Sequence, residues 1–144
     1  MKDWQSQAHV RWECKYHVVI IPKYRQKVFY GRFRRKIGTI LRDLCRQKDL
    51  GLLEGKARED HIHMLLSVPP KYSLAMTIGY LKGKSTIRIH RDLHERKGTL
   101  FGRRFWARGY CVSTVGLDEG QIRKYIQEQE KLQKEQEEPQ LKFD

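Results

Sequence analysis

Apolar residues along this chain recur with a period of two in some stretches and near 3.6 in others, and the switches mark the elements. The run CKYHVVIIP, Cys14 to Pro22, is β-branched and aromatic and closes on proline, which predicts a strand. In RFRRKIGTILRDLCRQKDL, Ile37, Ile40, Leu41 and Leu44 fall at helical spacing, with basic residues on the remaining face. GLLEGKARED predicts a short strand and turn, and DHIHMLLSV a further strand ended by Pro69 and Pro70. Ser73 is a natural N-cap for a second helix, LAMTIGYLKGKSTIRIHRDL, which carries Leu74, Ile78 and Leu81. FWARGYCVSTVG, Phe105 to Gly116, predicts another strand. Asp118 with Gln121 three residues on is a capping-box signal, opening a last helix over about 118–138, up to Pro139, with a tail at 139–144.

The order β-α-β-β-α-β-α predicts one domain across residues 1–144, of α+β class. The expected architecture is a ferredoxin-like, RRM-like plait: an antiparallel sheet with helices on one face, extended by the C-terminal helix. The other sheet face is then expected to be available for a ligand.

Charge sharpens this picture. Thirty Lys and Arg against 17 Asp and Glu leave +13, and six acids with three bases in Gln127–Asp144 put +16 on the preceding residues. Such an excess exceeds what solubility requires and points to a polyanion, most commonly nucleic acid. Cys14, Cys45 and Cys111 are odd in number, far apart and without a C-x-x-C, which argues against a disulfide framework or zinc knuckle and fits a reducing cytoplasm. No apolar run reaches the roughly 20 residues of a membrane span, and the first residues lack a secretory apolar core.

Basic residues are interleaved with aromatics in KYRQKVFYGRFRRK and GRRFWARGY, which supply Lys23, Arg25, Lys27, Arg34, Arg35, Arg103, Arg104 and Arg108. Lys82, Lys84 and Arg88 add to them from the second helix. Cations neutralise phosphates while aromatic rings stack on unpaired bases, so the combination suits single-stranded or looped nucleic acid. Each aromatic taken singly is better read as core, whereas the basic surface as a whole reads as a binding face. Gly83-Lys84-Ser85 invites a phosphate-loop reading, but position 78 is Ile where that motif needs glycine, which excludes a nucleotide triphosphate site.

His61 and His63 would project from one strand face, about 7 Å apart along the backbone, with Ile62, Met64, Leu66 and Val68 on the other. The pair is either a polar strand end or half of a metal site, because two ligands do not complete one. In the last helix Tyr125 and Gln129 are one turn apart, flanked by Ile122 and Ile126, which would press that face towards the body. A tyrosine there is ordinarily core material and a glutamine ordinarily surface. Should the helix lie over the histidines, a His-His-Gln site for Mg²⁺ or Mn²⁺ with an adjacent phenol results.

Four segments together resemble the single-tyrosine HUH transposases of the insertion-sequence 200/605 group. They are YHVVIIPKYRQKVF, DHIHMLLSVPPKYS with YLKGKS shortly after, FWARGYCVSTVG, and YIQEQ, spanning about Trp12 to Glu130. The resemblance implies that His61 and His63 are metal ligands, Gln129 the third, and Tyr125 the nucleophile that forms a 5′-phosphotyrosine. It further implies single-stranded DNA with hairpin ends as partner, a homodimer whose tyrosine helix can be exchanged between protomers, and a prokaryotic cytoplasmic, nucleoid-associated setting. A nickase of the same chemistry and a non-catalytic nucleic-acid-binding module are the competing readings. If the basic body carries the binding surface, contact with five phosphates of a single strand makes affinity fall about a hundredfold between 50 and 200 mM salt. A titration by fluorescence anisotropy that stays flat with salt would locate binding elsewhere.

Overall fold

The computed structural model describes residues 5–7, 10–12, 14–92 and 104–141, of which 5–7, 10–12, 25 and 133–141 are described in backbone only. Two three-residue strands, β1 (Gln5–Gln7) and β2 (Val10–Trp12), pair antiparallel as a separate ribbon. They are too short for a period to register in the sequence. The chain then runs β3 (Lys15–Ile20), α1 (Gly31–Gln47), β4 (Gly51–Arg58), β5 (His61–Ser67), α2 (Leu74–Asp92), β6 (Cys111–Ser113) and α3 (Glu119–Leu141). The main sheet has the order β4-β5-β3-β6 with every neighbouring pair antiparallel, which is the predicted ferredoxin-like plait.

Strand periodicity builds the larger core. Val18 and Ile20 of β3 and Ile62, Met64 and Leu66 of β5 face one way, against Ile37, Ile40, Leu41 and Leu44 of α1 and Ile78, Leu81 and Ile89 of α2. Each such side chain contributes roughly 1.5–3 kcal/mol when fully buried. The aromatics of the two basic stretches divide. Phe29, Phe33, Phe105 and Trp106 stack together inside this core, whereas Tyr24 and Tyr30 are about half exposed. Ser85, the serine of the excluded phosphate loop, accepts a hydrogen bond from the Trp106 indole at 2.8 Å and has a structural role.

Two features depart from the expectation. The predicted strand over 105–116 is only three residues long, preceded by a single bridge between Pro22 and Trp106. Lys82 Nζ of α2 takes the carbonyls of Ala107 and Gly109 at 2.7 and 2.6 Å, and Gly109 adopts φ +82°, which interrupts the strand between the Trp106 bridge and Cys111. Nor is the second sheet face left open. Ile122 and Ile126 of α3 cover part of it, packed on Val19, Ile21 and Ala107 in a second, smaller core.

The connections follow local chemistry. Ser73 Oγ accepts the Met76 N–H at 3.0 Å, capping α2 as expected. At α3 the capping box is reciprocal: Gln121 N–H donates to Asp118 Oδ1 at 2.8 Å, and Asp118 N–H to Gln121 Oε1 at 2.9 Å. The helix then runs two residues beyond Pro139. Asp49 ends α1 at φ +56°, a left-handed cap that asparagine and aspartate tolerate better than most residues. Among the described residues no helix is long and apolar enough to cross a membrane. Replacing Asp118 by Ala should lower unfolding stability by about 1 kcal/mol, since it orphans a helix N–H and releases Gln121. A denaturant titration unchanged by the substitution would show that the box does not hold α3.

Candidate active site

β5 presents His61, His63 and Leu65 to the face opposite the large core. In the register Val19 pairs with His63, so Val19, Ile21 and the α3 residues packed on them share that face with the histidines. The last helix packs on the same sheet face as the histidines, over Val19 and Ile21, and reaches the start of β5 through the Arg123–Asp60 contact. His61 is 1% exposed and His63 partly so. His17 of β3, a residue the sequence reading passed over, lies diagonally across: its Nδ1 is 3.3 Å from His63 Nε2, with ring centroids 5.5 Å apart. Burial, followed by the imidazoles of His17 and His61, holds His63 below the ordinary histidine range, keeping it neutral.

Asp60 closes the β4–β5 turn and is 1% exposed. Its Oδ1 lies 2.8 Å from His61 Nδ1 and its Oδ2 accepts from Arg123 Nη1 at 2.7 Å. Burial alone would raise the pKa of this carboxyl, but the hydrogen bonds from His61 and Arg123 prevail and hold it below the ordinary carboxylate value, so it is ionised at neutral pH. A carboxylate can only accept. Nδ1 of His61 therefore carries a hydrogen towards Asp60, and Nε2 is the ring nitrogen left free of that contact.

On α3 the buried and half-buried residues Ile122, Tyr125, Ile126 and Gln129 form one stripe. Gln129 lies against Gly109, its Nε2 3.6 Å from where a Cβ on that glycine would sit. Tyr125 packs into the second core beside Cys111, and its buried hydroxyl has no hydrogen-bond partner among the described residues. Burial pushes its phenol well above the ordinary value, so the hydroxyl stays protonated in this arrangement.

The donor set suits a hard or borderline divalent cation. No group of three His, Cys, Asp or Glu among the described residues converges to hold a metal ion, so the two imidazoles need a different third donor. An amide oxygen such as that of Gln129, on the helix packed against the same sheet face, is chemically apt.

The basic residues divide by environment. Lys27, Lys84, Arg104 and Arg108 are exposed, and Lys23 stands 5.2 Å from the Tyr24 ring centroid. Arg34 and Arg35 line a groove of about 480 Å³ between α1 and β4, joined by Arg42 and Lys56. Arg88 faces Asp43 and Asp92 at 3.3 and 3.8 Å, and Lys82 braces the 107–109 segment, so both have protein partners. Burial lowers Lys82 to about 8, which leaves it charged at neutral pH for those two carbonyls. Arg103 and the Arg25 side chain lie outside the described residues. Sequence reading also missed Asp60 and Arg123; the adjacency of Asp60 to His61 was the available signal.

Known proteins resemble this chain over most of its length. The family model described as IS200-like transposase matches residues 10–129. The transposase of insertion sequence element IS200 from Salmonella typhimurium is 49% identical over 129 residues, covering 90% of this chain and 85% of that protein. The ISDra2 transposase TnpA of Deinococcus radiodurans is 33% identical over 119 residues, covering 82% and 85%. A D. radiodurans candidate transposase of known crystal structure superposes with a TM-score of 0.77 at 30% identity, over 90% of this chain and 98% of that one. A REP-associated tyrosine transposase bound to a REP hairpin shares the fold at a TM-score of 0.51 and 8% identity, covering 86% and 68%.

The unpartnered Tyr125 hydroxyl carries a stability signature. Its desolvation is uncompensated, so Tyr125→Phe should stabilise the native chain by about 1 kcal/mol near neutral pH. Above about pH 10 the unfolded phenol ionises while the folded one keeps its proton, so native stability falls with pH and the advantage of Tyr125→Phe widens. That widening reaches at most about 1.4 kcal/mol per pH unit. Parallel urea titrations at pH 8 and 11 giving the same difference would mean that the phenol is solvated.

Proposed function

The chain belongs to the IS200-like transposases, and on that premise we propose that it cuts and rejoins single-stranded DNA through Tyr125. The observation that carries the reading is the seating of α3 on the sheet face that bears His61 and His63. The residues proposed here as metal ligands and as nucleophile, far apart in sequence, thereby belong to elements on one side of the sheet. A divalent cation, Mg²⁺ or Mn²⁺, held by His61, His63 and Gln129 would supply Lewis-acid stabilisation of charge developing on the scissile phosphate.

The chain's own groups account for the remaining work. Burial and the neighbouring imidazoles favour the neutral form of His63, the protonation state that a ligand requires. Tyr125 Oη attacks phosphorus, the Oη–P bond forms and the P–O3′ bond breaks, leaving a 5′-phosphotyrosine and a 3′-hydroxyl. The phenolic proton leaves to solvent or an incoming acceptor, and the departing O3′ takes up a proton. In its present surroundings burial holds the phenol protonated, so arrival of DNA has to bring the hydroxyl into a wetter setting. The 3′-hydroxyl of another junction then reverses the step, and the phosphotyrosine conserves the bond energy without nucleotide hydrolysis.

DNA enters along the basic body. Exposed Lys27, Lys84, Arg104 and Arg108 and the groove bearing Arg34 and Arg35 supply phosphate contacts, and Tyr24 and Tyr30 offer rings for unpaired bases. Hairpins at the element's ends, a homodimer and a nucleoid-associated prokaryotic setting complete the proposal. Incubation with labelled single-stranded hairpin DNA and Mn²⁺ should yield a denaturation-resistant protein–DNA adduct, absent in Tyr125→Phe and strongly reduced in His61→Ala. An adduct that survives Tyr125→Phe would move the nucleophile elsewhere. No adduct from the native chain, despite tight binding, would favour a non-catalytic module.

A further inference from the structure

The Asp60 carboxylate is nearly inaccessible to solvent, yet both of its oxygens are engaged by side chains from different layers. A turn aspartate ordinarily hydrogen-bonds the backbone of its own turn. Here Oδ1 meets His61 Nδ1 at 2.8 Å and Oδ2 meets Arg123 Nη1 of α3 at 2.7 Å. A buried carboxylate is costly unless paired, and these two donors supply the pairing.

We propose that Asp60 is a positioning residue serving both layers: it holds His61 with the Nε2 lone pair presented for a divalent cation, and through Arg123 it ties that arrangement to the seating of α3. The cation half rests on the functional reading above. The first half follows from geometry: Oδ1 engages His61 at Nδ1, at 2.8 Å, which fixes the ring and leaves Nε2 as the nitrogen free to meet a cation. Second-layer carboxylates of this kind fix both the tautomer and the orientation of a ligating imidazole.

The second half follows from how α3 is attached. Ile122 and Ile126 press the helix onto Val19, Ile21 and Ala107, but apolar contact is non-directional and does not by itself set the rotation of a helix about its axis. A charge-assisted hydrogen bond is directional. At about 100° per residue, Arg123 and Tyr125 project from opposite flanks of the Ile122–Ile126 stripe. The Arg123–Asp60 contact holds one flank at His61, and Tyr125 lies on the other, beside Cys111. Whatever rotates α3 therefore acts on the same carboxylate that orients the ligand.

Three measurements on the full chain without DNA test this. Nitrogen-15 spectroscopy of the apo protein should find His61 protonated at Nδ1, and Asp60→Ala should shift it towards the Nε2–H tautomer, which a merely structural contact would not do. Calorimetric titration should show Mn²⁺ affinity falling about 10- to 100-fold in Asp60→Ala. Asp60→Asn keeps the volume and should give a smaller fall, which covers the case of a misfolded alanine variant. Arg123→Ala is the discriminating variant. Removing a cation should by charge alone strengthen binding of Mn²⁺, whereas loss of α3 seating should weaken it, with Arg123→Lys restoring part of the affinity. Unchanged tautomer and Mn²⁺ affinity in the Asp60 variants would overturn the assignment of Asp60. Equal or tighter Mn²⁺ binding in Arg123→Ala would overturn the link to α3. A native chain that binds Mn²⁺ as described but forms no DNA adduct would instead end the strand-transfer reading and leave this assignment standing.

Discussion

The two-residue period of β5, flanked on both sides in the sheet, is the constraint from which the rest of this molecule follows. Ile62, Met64 and Leu66 enter the large core with α1 and α2, and the residues between them lie on the opposite sheet face, the one on which α3 packs. Nothing else could place imidazoles on a rigid surface so economically, because every second residue of the strand is anchored by burial. A one-residue slip in register would send His61 and His63 into the apolar core and the isoleucine and methionine to the site. The pairing with β3 and the two-residue turn from β4 exclude that slip.

The same constraint explains how a strongly basic chain can keep an acidic group at its centre. Cations gather on the exposed face of α1, on β4 and on the 104–108 segment, while Phe33, Phe105 and Trp106 between them turn inward. Asp60 is withdrawn from that field at the end of a hairpin and neutralised by Arg123 and the hydrogen bond to His61. In a medium of low polarisability such contacts are strong, and leaving any member unpaired is costly. The Tyr125 hydroxyl is the exception, buried without a partner. An uncompensated buried polar group is a local departure from optimal stability, and it falls on the residue proposed above as the nucleophile.

Helix α1, helix α2, the caps at Ser73 and Asp118 and the strand at His61 were all legible, because each depends on contacts within a few residues. The condition for the site was legible too: Ile122 and Ile126 bracket Tyr125 on a helix face that had to pack somewhere. The span from Phe105 to Gly116 was not. Its β-branched and aromatic residues have strand character, but Lys82 reaches across from α2 to take its carbonyls, and a side chain 25 residues away leaves no periodic trace. His17 was missed for the same reason, since its partner His63 is 46 residues distant.

By itself, then, the sequence determined the period of most elements, the helix starts, the segregation of positive charge and which residues were candidates for chemistry. Those are properties of neighbouring residues and of composition. Only the tertiary structure decided that α3 covers the histidine face, that Asp60 joins His61 to Arg123, and that Tyr125 is buried without a partner. Those depend on which surfaces exclude water from one another, and that is settled by the packing of the whole chain. The histidine pair was visible from the first; what holds it was not.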